Sequence, residues 1–303
     1  MPHSQDSPYS FLKLKDPGHE YANTKHISFL FAQQTLSAAT FGYDFFLSLP
    51  PDYTALTDKK WPLIIFLHGA GESQRGPNES YACLRHGIPK IILCYDKLKD
   101  GSDPSVSIPM AERLRSRKSR SDLSATPVPP DVCRQVAEEF VTLTPVLDMD
   151  NGYGWNETIL TSLLDEVLPH LRIDLQRVHL TGFSMGGGGT WELALHTPNR
   201  FATLTPICGY GDTLRASQIA RIPQWVHHGE RDDIIDISRS ERMVTALEKA
   251  GADVKFSRYP DLAHDSWTET YNNMDLWTWM LAIKSEAHVE SEILPEGDKA
   301  TVS

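Results

Sequence analysis

Hydrophobic positions in this chain come as short apolar runs, each emptying into a polar, glycine-rich or acidic loop. Leu63-Ile64-Ile65-Phe66-Leu67 is the plainest. It has strand length and no alternation, which predicts a central strand of a parallel sheet, buried on both faces. Phe140–Val146, the stretch from Val178 into Phe183, Phe201–Ile207, Pro223–His227 and Val254–Tyr259 predict further strands. Between them the period changes. Leu160, Leu163, Leu164, Val167, Leu168 and Leu171 fall at helical spacing behind Asn156, a good N-cap, and that stripe reads as core. A helix of small residues follows Ser184 and stops at Pro198; Ser238 and Glu241 form a capping box for a helix through Ala250, closed by Gly251. Residues 77–95 contain a helix and the short apolar run Ile88–Leu93, and a last helix runs through Ile283. Residues 28–37 and 41–49 are β-rich and end at Pro50-Pro51, as opening antiparallel strands would. Strand and helix alternate from residue 61 onward. The expected fold is therefore α/β, a doubly wound, mostly parallel sheet with antiparallel N-terminal strands.

The remaining segments are polar. Residues 1–24, with three prolines, read as a loosely held arm, and 285–303 as an acidic tail. Residues 96–136 read as an insertion, disordered or lid-like, carrying a basic run from Glu112 to Arg120. That leaves one domain over 25–284. A length of 303 residues and 40% hydrophobic content supply a core of that size. The net charge of −11 argues against a nucleic-acid surface. No run of 18 apolar residues offers a membrane span, and the start shows no signal peptide. Cys83, Cys94, Cys133 and Cys208 are scattered, so a reduced, cytoplasmic setting is expected.

The chemistry centres on Gly182-Phe183-Ser184-Met185-Gly186. A serine hydroxyl is a weak nucleophile and must be held exposed, beside a base. A tight strand-to-helix turn does this if the residues two before and two after lack a clashing β-carbon. Gly186 to Gly189 would each cost about 0.8–1 kcal/mol inside a helix, so the run implies close helix–strand packing or backbone access. The helix start aims N–H groups and positive dipole where an oxyanion would form, making Met185 N–H one candidate donor. Ala70, in the loop His68-Gly69-Ala70-Gly71-Glu72, is the other, with Gly71 letting the backbone approach a substrate. The His68 ring reads as a brace for that loop, and Cys208 as a small buried hydrophobe. Tyr153, Trp155 and Tyr210, in loops after strands, are candidate substrate contacts. Ser184, an acid among Asp232, Asp233 and Asp236, and His264 all come after strand ends, which converge on one edge of such a sheet. Asp265 faces solvent or caps the last helix. A metal site from His68, His227 and His228 matches no usual ligand spacing.

Residues 61–283 resemble the α/β-hydrolase superfamily, and more narrowly its predicted-peptidase and carboxylesterase branch, related to phospholipase/carboxylesterases. The motifs are Phe66 to Glu72, Gly182 to Gly187, Pro206 to Gly209, His228 to Asp232, and His264 to Trp267. The resemblance implies Ser184 as nucleophile, His264 as base and, from the His-Gly-x-x-Asp spacing, Asp232 as orienting acid. The chain departs from the pattern at Asp236, where the family has proline. The expected activity is that of a serine hydrolase acting on esters with small or medium acyl groups, needing no cofactor or metal. Its partner would be a small-molecule ester. Thioester or peptide substrates, or a silent binding scaffold, are the rivals. Oligomeric state is not legible.

Overall fold

The computed structural model describes residues 10–16, 28–35, 41–76, 79–110 and 125–285. Nine strands form one sheet: β1 (Lys13–Leu14), β2 (Ser28–Gln33), β3 (Asp44–Leu49), β4 (Trp61–Leu67), β5 (Val141–Val146), β6 (Ile173–Phe183), β7 (Thr203–Ile207), β8 (Gln224–Gly229) and β9 (Val254–Tyr259). Their order is β1-β2-β3-β5-β4-β6-β7-β8-β9. The pairings β1/β2, β2/β3 and β3/β5 are antiparallel and all later ones parallel. The helices are α1 (Gly87–Lys99), α2 (Pro130–Glu139), α3 (Glu157–Val167), α4 (Met185–His196), α5 (Ser238–Lys249), α6 (Trp267–Asn272) and α7 (Met274–Ala282).

Strand β4 shows why its sequence lacks alternation. Leu63, Ile65 and Leu67 enter one core with residues of α3, α4 and α5. Ile64 and Phe66 enter the core on the opposite face, with α1, α2, α6 and α7. Every residue of β4 is buried, as a strand between two helix layers requires. Parallel strands sandwiched this way place all their carboxyl ends on one edge, where the loops after β4, β6, β7, β8 and β9 gather.

Several boundaries differ from expectation. Residues 88–93 lie in the first half of the 13-residue helix α1, which runs on through Lys99. α2 occupies residues expected to belong to an insertion, and buries Val132, Cys133 and Val136. The basic run 112–120 falls within 111–124, outside the described residues, as does the tail from 286. In the N-terminal arm, Lys13 and Leu14 pair with Gln33 and Ala32 as an edge strand; residues 1–9 and 17–24 lie outside the described residues. The capping box of α5 does not form. Asp236 Oδ1 takes the Ser238 N–H instead (2.9 Å), and Glu241 pairs with Arg258. Asn156 does cap α3, accepting from Ile159 N–H at 3.0 Å. The last helix is broken at Asn273, whose side chain caps α7.

Candidate active site

The turn from β6 to α4 is as tight as the glycines imply. Ser184 sits at φ 55°, ψ −120°, outside the usual regions for a residue with a side chain. A β-carbon on Gly182 would fall 2.5 Å from the Gly186 carbonyl oxygen, and one on Gly186 only 1.9 Å from that of Leu67. The rest of the run is explained by its neighbours: Gly187 abuts Ile207 and Gly209, Gly188 the Tyr210 ring, Gly189 the Trp155 ring. Gly186→Ala is therefore expected to cost upward of ~3 kcal/mol, because its neighbours are β4 backbone and cannot rotate away. Urea denaturation checks this; a variant as stable as the wild type would mean that the elbow can shift.

The β9–α6 loop and the β8–α5 loop bring two groups to Ser184. His264 Nε2 lies 3.0 Å from Ser184 Oγ, and His264 Nδ1 lies 2.8 Å from Asp232 Oδ2. A carboxylate only accepts, so Nδ1 carries the proton and Nε2 is left to accept from the serine hydroxyl. Asp232 Oδ1 takes the backbone N–H groups of Ile234 (2.9 Å) and Ile235 (3.0 Å). Burial by itself would raise the pKa of Asp232. Hydrogen bonds from His228, His264 and the two amides outweigh it and hold the carboxyl well below the ordinary carboxylate range. Of the alternatives, Asp233 and Asp236 are not buried as Asp232 is, and Asp265 caps α6 by accepting from Thr268 N–H at 3.0 Å.

Ala70 is exposed at the head of a single 3-10 turn after β4, and Met185 N–H belongs to the first turn of α4, where amides have no intrahelical acceptor. β4 and β6 are parallel neighbours, with Leu67 opposite Gly182, so both groups emerge at the same edge. The His68 ring is a brace: Nδ1–H donates to the Gly69 carbonyl (2.8 Å) and Nε2 accepts from Leu147 N–H (3.1 Å). Both its nitrogens are thereby used. Gly71 leaves open space where a side chain would be, and Tyr210, 46% exposed, lies over Gly188 in the first turn of α4. Trp155 lies deeper than its loop position suggests. Its indole is buried, edge-on to Tyr43 and His68, and its N–H donates to the His68 carbonyl (3.2 Å), so the ring supports the loop from beneath. Tyr153, by contrast, is 81% exposed.

All four cysteines are free and buried. Cys208 has φ 41°, and burial pushes its thiol up. Its sulfur, an Asp232 oxygen and a His264 nitrogen lie within 4.8 Å of one another; among the described residues no other cluster of three metal-ligating side chains is as tight, and His68, His227 and His228 do not form one. Two contacts escaped sequence reading. Trp267 presents its ring edge-on to His264 (5.3 Å) and stacks on Phe183 (4.2 Å). His228 Nε2 lies 3.2 Å from Asp232 Oδ2; the signal available was its place at the head of His228-Gly229-Glu230-Arg231-Asp232.

Residues 156–284 match the family model described as the dienelactone hydrolase family. A 126-residue stretch is 28% identical to the bifunctional acetylxylan esterase/xylanase XynS20E of Neocallimastix patriciarum, covering 40% of this chain and 17% of that protein. The structure of a thermostable esterase superposes with a TM-score of 0.64 at 24% identity, over 84% of this chain and 63% of that one. The S-formylglutathione hydrolase FrmB of Staphylococcus aureus superposes with a TM-score of 0.55 at 14% identity, over 86% and 98%. The chain thus spans less than two thirds of the esterase chain and about a sixth of the acetylxylan esterase/xylanase. The strand order, the serine elbow and these neighbours give the chain the α/β-hydrolase fold, and its stretch 156–284 carries the dienelactone hydrolase match.

Proposed function

We propose that this protein is a serine hydrolase that cleaves carboxylic esters of small or medium acyl groups through Ser184, His264 and Asp232. The observation that carries the reading is the unbroken hydrogen-bonded chain from Ser184 Oγ through both His264 nitrogens to Asp232. In the reaction, Ser184 Oγ attacks the acyl carbonyl carbon while its proton passes to His264 Nε2. The carbonyl oxygen becomes an oxyanion facing the N–H groups of Ala70 and Met185. Asp232 holds the ring in the reactive tautomer and stabilises the imidazolium. Collapse breaks the ester C–O bond, the alkoxide takes the proton from His264, and an acyl-enzyme remains. Water, deprotonated by His264, then releases the acid and restores the serine.

The test is a panel of nitrophenyl esters of graded acyl length with matched thioesters and anilides, run beside labelling by a fluorophosphonate. The expected result is labelling of the folded chain and kcat/KM highest for an ester of short or medium acyl chain. Faster anilide or thioester cleavage would move the substrate class, and absence of labelling with absence of turnover would leave only a binding scaffold.

A further inference from the structure

Asp232 has a second histidine. His228, wholly buried at the end of β8, sets its Nε2 2.8 Å from the Ile235 carbonyl oxygen and 3.2 Å from Asp232 Oδ2. Both partners only accept, so Nε2 carries a proton; it donates to the Ile235 carbonyl, and the carboxylate oxygen that also takes the His264 Nδ1–H lies within its reach. On the other side of the ring, Nδ1 lies 2.8 Å from Ser240 Oγ, itself buried in the first turn of α5. Ser240 Oγ is in turn 3.1 Å from the Gly209 carbonyl oxygen. Gly209 backbone touches Gly187 in the first turn of α4, behind Ser184. Asp232, α5, the β7 loop and the elbow helix are thus tied through one imidazole.

Building on the serine-hydrolase reading, we propose that His228 is a positioning residue for the reaction: held by Ser240, it fixes Asp232 and withdraws charge from the oxygen that orients His264. Its effect has a definite direction. A donor near Oδ2 weakens that oxygen as an acceptor for the His264 Nδ1–H. Removing it concentrates charge on Oδ2 and tightens the bond to His264 Nδ1–H. The other titratable groups here stay in place. Around His264 these are the Cys208 thiol and Asp265, with His86 on the far side of Trp267; around His228 they are Asp232 and the exposed Asp236.

The experiment compares His228→Leu, His228→Gln and Ser240→Ala with the wild type, first confirming the fold by circular dichroism and thermal midpoint. In His228→Leu, kcat/KM is expected to fall, by less than the ~10⁴-fold that disabling the acid of a Ser-His-Asp site costs. The acidic limb of its pH profile moves to higher pH. His228→Gln, which keeps an N–H within reach of Oδ2, returns the limb toward the wild-type position. Ser240→Ala moves it in the same direction as His228→Leu but less, and decides the matter if the leucine variant does not fold. A limb that stays in place, or moves to lower pH as simple loosening of Asp232 would make it, overturns the proposal. A readout without substrate separates this from a failure of the hydrolase reading. In ¹⁵N-histidine-labelled protein, the His264 Nδ1 proton should move downfield in His228→Leu. A chain without turnover whose resonance responds keeps the brace and loses the reaction; turnover with an unresponsive resonance does the reverse.

Discussion

Ser184→Ala is expected to lower kcat for ester hydrolysis on the order of 10⁶-fold, to abolish fluorophosphonate labelling, and to leave the thermal midpoint nearly unchanged. The magnitude is that of removing the nucleophile from a serine hydrolase, where the residual rate comes from the oxyanion donors and substrate binding alone. The fold should tolerate the change because, among the described residues, Ser184 Oγ hydrogen-bonds to His264 alone, while the elbow is held by backbone: Ser184 N–H donates to the Ile207 carbonyl (2.9 Å) and Gly188 N–H to that of Ser184 (3.1 Å). A variant retaining a tenth of wild-type turnover would show that another group attacks the acyl carbon. Cys208, close to the site but wholly buried with its thiol pushed up by that burial, is poorly suited to be that group.

Acid should weaken the fold well before the carboxylates titrate. His179 and His227 are both wholly buried, and burial pulls each down from 6.5 to about 3. His179 Nδ1 meets Thr203 Oγ1 (2.8 Å) and His227 Nδ1 meets the Tyr259 hydroxyl (3.1 Å); the Nε2 of each has no hydrogen-bond partner among the described residues. Below pH 6.5 the unfolded chain binds a proton at each histidine that the folded chain refuses, so stability falls as pH falls from about 6.5 toward 3. At pH 5 the loss is roughly 2 kcal/mol for each, about 4 kcal/mol together, a large part of a usual folding free energy. Asp232 acts in the same direction in a lower window. Its folded carboxyl resists protonation, so the stability that it contributes is lost only as pH drops below the ordinary carboxylate value. Urea unfolding at pH 7 and pH 5 measures the effect. His227→Phe keeps a ring stacked between Trp225 and Tyr259 and should remove about one proton from the slope. Unfolding free energies that match at the two pH values would rule the account out.

How the chain was readable is clearest in particular residues. The apolar run 63–67, the alternation of strand and helix after it, and the Asn156 cap are local or periodic signals, and each landed on an element because burial on two faces or one leaves a period in the sequence. The glycines from 186 to 189 announced close packing for the same reason: a missing side chain records what lies against it.

Other features left no such record. Trp155 stands in a polar loop and looks exposed; only the space above Gly189 and the carbonyl of His68 draw it inward. Residues 88–93 read as a short apolar run because the helix holding them goes on into charged residues on its open side. The amino-acid sequence by itself determined the layered α/β architecture, the serine elbow and the edge of the sheet at which His264 and Asp232 would emerge, since all of these derive from periodicity and strand ends. Only the tertiary structure decided which oxygen of Asp232 meets which ring, and that His228 shares it. Polar contacts between residues 4, 32 and 80 positions apart depend on ångström-scale placement of loops, which no local pattern encodes.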